Sequence, residues 1–278
     1  MPELPEVETI RRVLQPQLTG QRITAVEILN PQVIAHPAPD AFADALTGGV
    51  ITGMNRRGKF LSFLLKDGSE LVLHLRMTGQ PLILPESEPI EKHTHVILHL
   101  ENGSQFRYID VRRFGRFWLL RKDEPDTVTG RERLGLEPDD PLLTAAWLRE
   151  QLGTKVKPIK ETLHDQSTVA GIGNIYSDEI LFAAGIHPET KCNMLTDTDW
   201  AALAKAIPEI IAWGIETDAM TPEEYAVTRG KEYRNTPDLK AYGRAGKPCP
   251  RCGTTMEKLT VAGRSSCFCP ACQKERPC

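Results

Sequence analysis

Apolar residues recur at helical spacing at the start of the chain and then in short, strand-like runs. Val7, Ile10 and Leu14 lie on one face of a helix that is predicted to begin after Pro5 and to end at Gly20. Turn signals such as Asp-Gly and Asn-Gly separate the short runs that follow. The predicted strands are residues 23–29, 59–65, 71–75, 95–100, 105–109 and 116–120. Many strands with few helices between them favour an antiparallel sandwich or barrel.

The pattern becomes helical after a polar segment rich in proline and glycine. Residues 123–141 have the composition of a linker. From 142 to about 217 apolar residues recur at helical spacing, and Trp200, Leu203 and Ile207 form a stripe that we interpret as core. Residues 218–247 are polar and predict no element. Strands followed by helices indicate an α+β protein.

The composition is that of a folded protein with an uneven charge distribution. The 278 residues carry a net charge of −3, yet residues 229–278 hold 11 Lys and Arg against 4 Asp and Glu. This basic end is either a phosphate-binding surface or a solvated tail. There is neither an apolar run of roughly 18 residues nor a secretory signal in the start MPELPEVETI. We therefore expect a soluble intracellular protein of two or three compact units.

Four cysteines near the C-terminus have the spacing of a zinc site. Cys249, Cys252, Cys269 and Cys272 form C-x2-C-x16-C-x2-C, a pattern that in an intracellular chain is typical of one tetrahedral, structural Zn2+. Cys267 is separated from Cys269 by one residue and could compete as a ligand, although C-x-C is a poorer chelating turn. We interpret Cys192 and Cys278 as ordinary thiols.

The residues between the two cysteine pairs fit a β-hairpin whose turn is predicted at Gly263-Arg264. The zinc-bound hairpin either only stabilises the local fold or also forms a rigid arm whose arginine contacts phosphate or a DNA groove.

The first residues offer a candidate nucleophile. We expect Met1 to be removed, because the second residue is small. Pro2 then carries a free secondary amine with a pKa near ~8, which can attack an aldehyde-level carbon and form an iminium. Glu3 and Glu6 lie beside it and could move protons. Alternatively, these glutamates only suit the dipole of a helix N-terminus.

Seven segments together resemble bacterial formamidopyrimidine-DNA glycosylases, the family that includes endonuclease VIII. They occur in the family's order and cover essentially the whole chain. The segments are MPELPEVETIRR (1–12), RRGKF (56–60), HLRMTG (74–79), DVRRFG (110–115), AGIGNIYSDE (170–179), YGRAGKPC (242–249) and VAGR (261–264). At position 4 the chain has leucine, which resembles the sequence of the family branch that acts on purine lesions.

This resemblance implies a bifunctional base-excision repair enzyme that is a DNA glycosylase and an abasic-site lyase. It would remove oxidised purines such as 8-oxoguanine and formamidopyrimidines from double-stranded DNA. It implies that Pro2 forms a Schiff base with C1′ of the extruded nucleotide, that Glu3 acts as acid and proton shuttle, and that Glu6 supports them. Successive β and δ eliminations would then cut the strand.

The resemblance also implies DNA contacts. Met77, Arg112 and Phe114 match residues that fill the void left by the extruded base, although without the family Met77 and Phe114 would be interpreted as core. Lys59, Asn174 and Arg264 match phosphate-binding positions, and the catalytic set that the resemblance implies is Pro2, Glu3, Lys59 and Arg264. Asn174 is predicted to open a helix after Gly173, where backbone N–H groups favour an anion; the same residues also suit a plain turn and helix cap. His74 and Tyr242 are secondary candidates, since a histidine on a strand is commonly structural.

The implied architecture is an N-terminal antiparallel β-sandwich with an opening helix, a helical helix–two-turn–helix domain and a C-terminal zinc-ribbon hairpin. The predicted boundaries are 1–122, a linker at 123–141, 142–228 and 229–278. We expect a monomer in the bacterial cytoplasm, associated with the nucleoid and not with a membrane.

Between Gly214 and Tyr242 the chain departs from the family pattern, in a region that includes the family's lesion-covering loop. Three alternatives therefore stay open: a lyase with altered lesion preference, a non-catalytic binder of damaged DNA if Met1 is retained, and a generic zinc-ribbon module that binds RNA or protein.

Overall fold

The computed structural model describes residues 2–230 and 238–275. They form two compact units, one of residues 2–132 and 218–230 and the other of residues 133–217 and 238–275. The predicted domain boundaries at 122, 141 and 228 stay predictions. Within the described ranges, none of the helices has the length and hydropathy that a membrane-crossing segment requires.

The first unit contains the opening helix and all the strands of the sandwich. Its helices are α1 (Leu4–Leu18), α2 (Pro39–Leu46) and, from the second stretch of chain, the short helix that follows Thr221. Its strands are β1 (Ile23–Ile28), β2 (Ile34–His36), β3 (Ile51–Arg57), β4 (Phe60–Leu65), β5 (Glu70–His74), β6 (Gly79–Pro85), β7 (Thr94–Leu100), β8 (Ser104–Asp110) and β9 (Arg116–Leu120).

Two sheets face each other across the core of this unit. Their strand orders are β1-β7-β8-β6 and β2-β9-β5-β4-β3. The rings of Phe63 on β4 and Phe106 on β8 meet edge to face at 5.5 Å, and those of Tyr108 and Phe117 at 4.9 Å. These buried aromatic pairs join the two sheets, so the predicted sandwich is confirmed.

The pairing departs from the antiparallel prediction at one edge. β2 pairs with β9 in parallel, through Ile34 opposite Phe117, whereas the other pairs of both sheets are antiparallel. Six strands, β3 to β8, lie between β2 and β9 in the sequence, so this pair is not joined by a hairpin turn and can be parallel.

The second unit combines four helices with a hairpin. The helices are α3 (Ala145–Leu152), α4 (Ile159–Leu163), α5 (Asn174–Ala184) and α6 (Asp197–Thr217). The short helix that follows Thr221 belongs to the first unit and is named α7 (Pro222–Thr228). Turns separate α4 from α5. Within this connection the Gln166 side-chain amide donates to the Ile172 carbonyl at 2.8 Å and accepts from Gly171 N at 2.9 Å, which holds the turns together. This is the predicted helix–two-turn–helix element.

The C-terminal hairpin pairs β10 (Glu257–Val261) with β11 (Arg264–Phe268). The predicted turn at Gly263-Arg264 is wrong by one residue. Val261 pairs with Arg264, and the turn is Ala262-Gly263, both with positive φ (46° and 78°). Such a two-residue turn matches the twist of the strands, so Arg264 is the first residue of β11.

Candidate active site

Pro2 lies two residues before the first residue of α1 and is buried together with the first residues of that helix. Glu3 is the N-cap residue of α1, and its backbone N–H donates to Glu6 Oε2 at 2.7 Å. This bond satisfies one of the N–H groups that a helix start leaves open and fixes the Glu6 carboxylate beside Glu3. The predicted removal of Met1 lies outside the described residues.

A buried carboxylate on α1 holds the turn that carries Lys59. Glu8 Oε2 accepts from Arg56 Nε at 3.2 Å, and Arg56 Nη1 donates to the Gly58 carbonyl at 3.2 Å. Burial raises the pKa of Glu8, but hydrogen bonds from Arg11 and Arg12 and the charges of Arg11 and Arg56 outweigh it and lower the pKa to about 2. α1 and the β3–β4 turn are therefore tied together by an ion pair.

His74, at the end of β5, is a buried neutral imidazole. Burial, followed by the charges of Arg76 and Lys59, lowers the pKa of His74 to about 3. Its Nδ1 accepts the backbone N–H of Arg76 at 3.0 Å, which leaves the ring proton on Nε2. The ring lies edge to face on Phe60 at 4.5 Å. His74 therefore has a structural contact on one nitrogen and a donor on the other.

Two loops of the sandwich present the predicted void-filling residues to solvent. Met77 lies between β5 and β6 and is 39% exposed; Phe114 lies between β8 and β9 and is 47% exposed. The guanidinium of Arg112 lies 4.6 Å above the Phe114 ring. The interpretation of Met77 and Phe114 as core residues is therefore wrong.

Asn174 is the first residue of α5, as predicted, and Gly173 is its N-cap residue. Asn174 Oδ1 is buried and has no hydrogen-bond partner among residues 2–230 and 238–275. On the same helix, Glu179 accepts the backbone N–H groups of Lys240, Ala241 and Tyr242 at 2.8–2.9 Å. α5 thus anchors the segment that contains Tyr242, a role that the sequence motif did not reveal.

The four predicted zinc ligands lie together. Their Sγ atoms are all within 4.8 Å of one another, which suits ~2.3 Å Zn–S bonds in a tetrahedron. Backbone N–H groups of Arg251 and Cys272 donate to the sulfurs of Cys249 and Cys269, each at 3.4 Å, as expected for thiolates that bind a metal. Four protein ligands leave no open coordination position, so one Zn2+ here is structural.

Cys192 lies outside the metal cluster, as predicted, and Cys267, the possible competing ligand, lies outside it as well. Cys192 donates to Thr162 Oγ1 at 3.3 Å, and the backbone of Cys267 donates to Asp178. The interpretation of Cys278 lies outside the described residues.

Comparisons with known proteins find matches over almost the whole chain. Residues 1–117 match the formamidopyrimidine-DNA glycosylase N-terminal domain, residues 134–225 match the H2TH domain of the same enzymes, and residues 246–274 match the zinc finger found in FPG and IleRS. The sequence is 43% identical to the formamidopyrimidine-DNA glycosylase of Pelotomaculum thermopropionicum, covering 99% of both chains. It is also 43% identical to that of Streptococcus pyogenes, covering 100% of both.

The fold is similar to solved structures of a Lactococcus lactis protein. One is a complex of Fpg with DNA containing an abasic site, with TM-score 0.91 and 37% identity over 98% of this chain and 100% of that one. Another contains Fapy-dG DNA, with TM-score 0.90 and 36% identity over the same shares of the two chains.

The fold, the zinc finger and these matches define a DNA glycosylase of DNA repair. The chain belongs to the formamidopyrimidine-DNA glycosylase family.

Proposed function

We propose that this chain excises oxidised purines, 8-oxoguanine and formamidopyrimidines, from double-stranded DNA and then cuts the strand at the abasic site. The observation that carries the proposal is the burial of Pro2 beside Glu3 at the N-terminus of α1. A secondary amine can act there once Met1 is removed, and the first turn of the helix supplies carboxylates for proton transfer.

The chemistry follows from that amine. The Pro2 nitrogen attacks C1′ of the extruded nucleotide, the bond from C1′ to the base breaks, and Glu3 protonates the opening sugar. The resulting iminium withdraws electrons and acidifies C2′. Loss of a C2′ proton expels the 3′ phosphate (β), and a second elimination expels the 5′ phosphate (δ). Glu6, hydrogen-bonded to the Glu3 backbone, supports this proton network.

Extrusion of the base requires a substitute in the duplex, because unstacking and unpairing cost a few kcal/mol. Met77 and Phe114 are exposed apolar side chains that suit insertion. Arg112 brings guanidinium donors for the orphaned opposite base.

Lys59, His74, Asn174 and Arg264 are proposed to bind phosphates around the lesion. The neutral His74 offers the Nε2 proton, Asn174 lies at the positive end of the α5 dipole, and Arg264 begins a zinc-stapled strand. Zn2+ would stabilise this hairpin, with its four thiolates as ligands. We also propose that the protein acts as a monomer.

Borohydride trapping tests the lyase step. Wild-type protein and Pro2→Gly would be incubated with 8-oxoguanine:cytosine duplex and with abasic duplex, each with borohydride. We expect a strong covalent adduct with wild-type protein on both duplexes and a much weaker one with Pro2→Gly, whose N-terminal amine is primary and less nucleophilic. Intact mass shows in parallel whether Met1 is absent. A chain that keeps Met1 and forms no adduct would be a non-catalytic damage binder.

Lesion preference needs a separate comparison, because residues 214–242 depart from the family pattern and 231–237 lie outside the described residues. Single-turnover rates on 8-oxoguanine, formamidopyrimidine and abasic duplexes measure it. High rates on all three support the proposed substrates. Retained abasic cleavage with slow 8-oxoguanine excision would instead support a lyase with altered preference.

A further inference from the structure

A single carboxylate in the sandwich connects the two loops that carry Met77, Arg112 and Phe114. Asp110 ends β8 and is 0% exposed. Its Oδ1 accepts from Thr78 Oγ1 at 2.5 Å, across from the neighbouring loop, and from the backbone N–H of Arg112 at 3.1 Å. The residue next to Met77 and the backbone of Arg112 thus share one acceptor.

The second oxygen of this carboxylate fixes the far end of the β8–β9 loop. Asp110 Oδ2 accepts the backbone N–H of Gly115 at 2.9 Å and the hydroxyl of Tyr108 at 3.2 Å. The Arg112 N–H also donates to Thr78 Oγ1 at 3.2 Å, so the two loops bond to each other directly. The bonds to the Asp110 carboxylate are charge-assisted, and such bonds are roughly twice as strong as neutral ones.

Close packing leaves no space for an added side chain where the two loops meet Tyr108. A Cβ at Gly79 would lie 2.5 Å from the Tyr108 hydroxyl, and one at Gly115 would lie 1.6 Å from it. Burial raises the pKa of Asp110, but the bonds from Thr78, Gly115 and Arg112 outweigh it and hold the pKa below its usual range. The carboxylate therefore stays ionised at neutral pH.

We propose that Asp110 and Thr78 are positioning residues, which hold Met77, Arg112 and Phe114 in one arrangement before DNA arrives. The inference rests on the void-filling part of the proposed function. Inserting three side chains into a duplex requires them to be ordered together, and loops that already share hydrogen bonds lose less entropy on binding. The stacking of Arg112 on Phe114 belongs to the same prearranged group.

Thr78→Val and Thr78→Ser form a matched pair for the test. Valine keeps the shape of threonine but removes the hydroxyl, whereas serine keeps the hydroxyl. Asp110→Asn is a stronger variant whose fold must be checked by its thermal midpoint. All variants would be full-length, zinc-loaded protein.

The first readout does not depend on catalysis. A duplex with a tetrahydrofuran abasic analogue and 2-aminopurine beside it reports unstacking, because 2-aminopurine fluoresces when it leaves the stack. With saturating protein we expect the same increase in fluorescence with Thr78→Ser as with wild type. With Thr78→Val we expect less than half of that increase. An unchanged rise with Thr78→Val would overturn the inference.

The second readout separates positioning from general damage. We expect excision of 8-oxoguanine from duplex to be at least tenfold slower with Thr78→Val, and within twofold of wild type with Thr78→Ser. Borohydride trapping on a single-stranded abasic oligonucleotide, in which no base pair is opened, should be equal for all three. Equal losses on both substrates would mean a purely structural role for Thr78. Absence of trapping with wild type would defeat the proposed lyase, while the fluorescence result still decides the positioning role.

Discussion

Lys160 Nζ lies 2.5 Å from Asp178 Oδ1, and both side chains are 1% exposed. The same carboxylate accepts from Ser266 Oγ at 2.6 Å and from Cys267 N at 3.0 Å, and Lys160 also donates to the Ser265 carbonyl at 3.0 Å. α4, α5 and β11 therefore meet at one buried ion pair. It joins the helix that begins at Asn174 to the strand that begins at Arg264.

Lys160→Met should strongly destabilise the second unit, because it leaves the Asp178 carboxylate buried without its cation. Loss of one partner of a buried pair costs about 3–5 kcal/mol in the free energy of unfolding. Arg149→Gln is the control: Arg149 and Asp197 are also 2.5 Å apart but 63% and 80% exposed, so its loss should cost less than ~1 kcal/mol. Urea unfolding followed by tryptophan fluorescence measures both. Similar losses for the two variants would contradict the difference expected from burial.

Glu8 should contribute to stability at neutral pH and lose that contribution in acid. Its pKa falls from the ordinary 4.5 to about 2 in the folded protein, so the unfolded chain takes up the proton first as the pH falls. The contribution is complete above pH ~4.5, disappears towards pH ~2, and amounts to about 3 kcal/mol at ~1.4 kcal/mol per pKa unit. Glu8→Gln should therefore flatten the pH dependence of unfolding in this window, whereas Asp44→Asn, at an exposed position, should not. An unaltered acid profile for Glu8→Gln would show that the Glu8 pair contributes nothing.

Strands with dense apolar runs are predictable from the sequence, whereas strands with prolines or few buried residues are not. Residues 116–120 were predicted as a strand and form β9 with the same bounds. β6 was missed because Gly79-Gln-Pro-Leu-Ile-Leu-Pro85 contains two prolines, which only an edge strand tolerates, and β6 is at the edge of its sheet. β3 was missed because only two of its seven residues are buried.

The short helix α7 has a start signal in the sequence, although the polar composition of residues 218–247 predicts no element there. Thr221 and Glu224 form a capping box around Pro222, a typical helix start. Tyr225 then packs in the core of the first unit and donates to the Pro81 carbonyl at 3.1 Å. The helix was therefore predictable, but its partner, far away in sequence, was not.

The candidate site likewise contains residues that the local sequence identifies and residues whose role depends on distant contacts. Motifs identified the candidates Pro2, Glu3 and the four cysteines, because their chemistry is local. Asp110 lies in the segment DVRRFG, but the sequence alone does not reveal its role, since its bond to Thr78 depends on two loops that only the folded sandwich brings together.

Cys269→Ser should abolish stoichiometric zinc binding, because Cys269 is one of four thiolates that together complete the metal site. Cys267→Ser is the matched control: it changes a buried thiol on the same hairpin that lies outside the cluster, so one Zn2+ per chain should remain. Metal content after gel filtration measures both. Loss of zinc from the Cys267 variant with retention in the Cys269 variant would show that the ligand set is wrong.

Phe114→Ala and Met77→Ala should impair excision without impairing the fold. Both side chains are exposed, so truncation should change the free energy of unfolding by less than about 0.5 kcal/mol. If each side chain replaces stacking lost on base extrusion, its removal should raise the barrier by about 1–3 kcal/mol, a roughly ten- to hundredfold slower single-turnover excision from duplex. Leu29→Ala, at an apolar position of the same unit that is 50% exposed, should leave the rate unchanged. If Phe114→Ala excised 8-oxoguanine as fast as Leu29→Ala, void filling by Phe114 would be refuted.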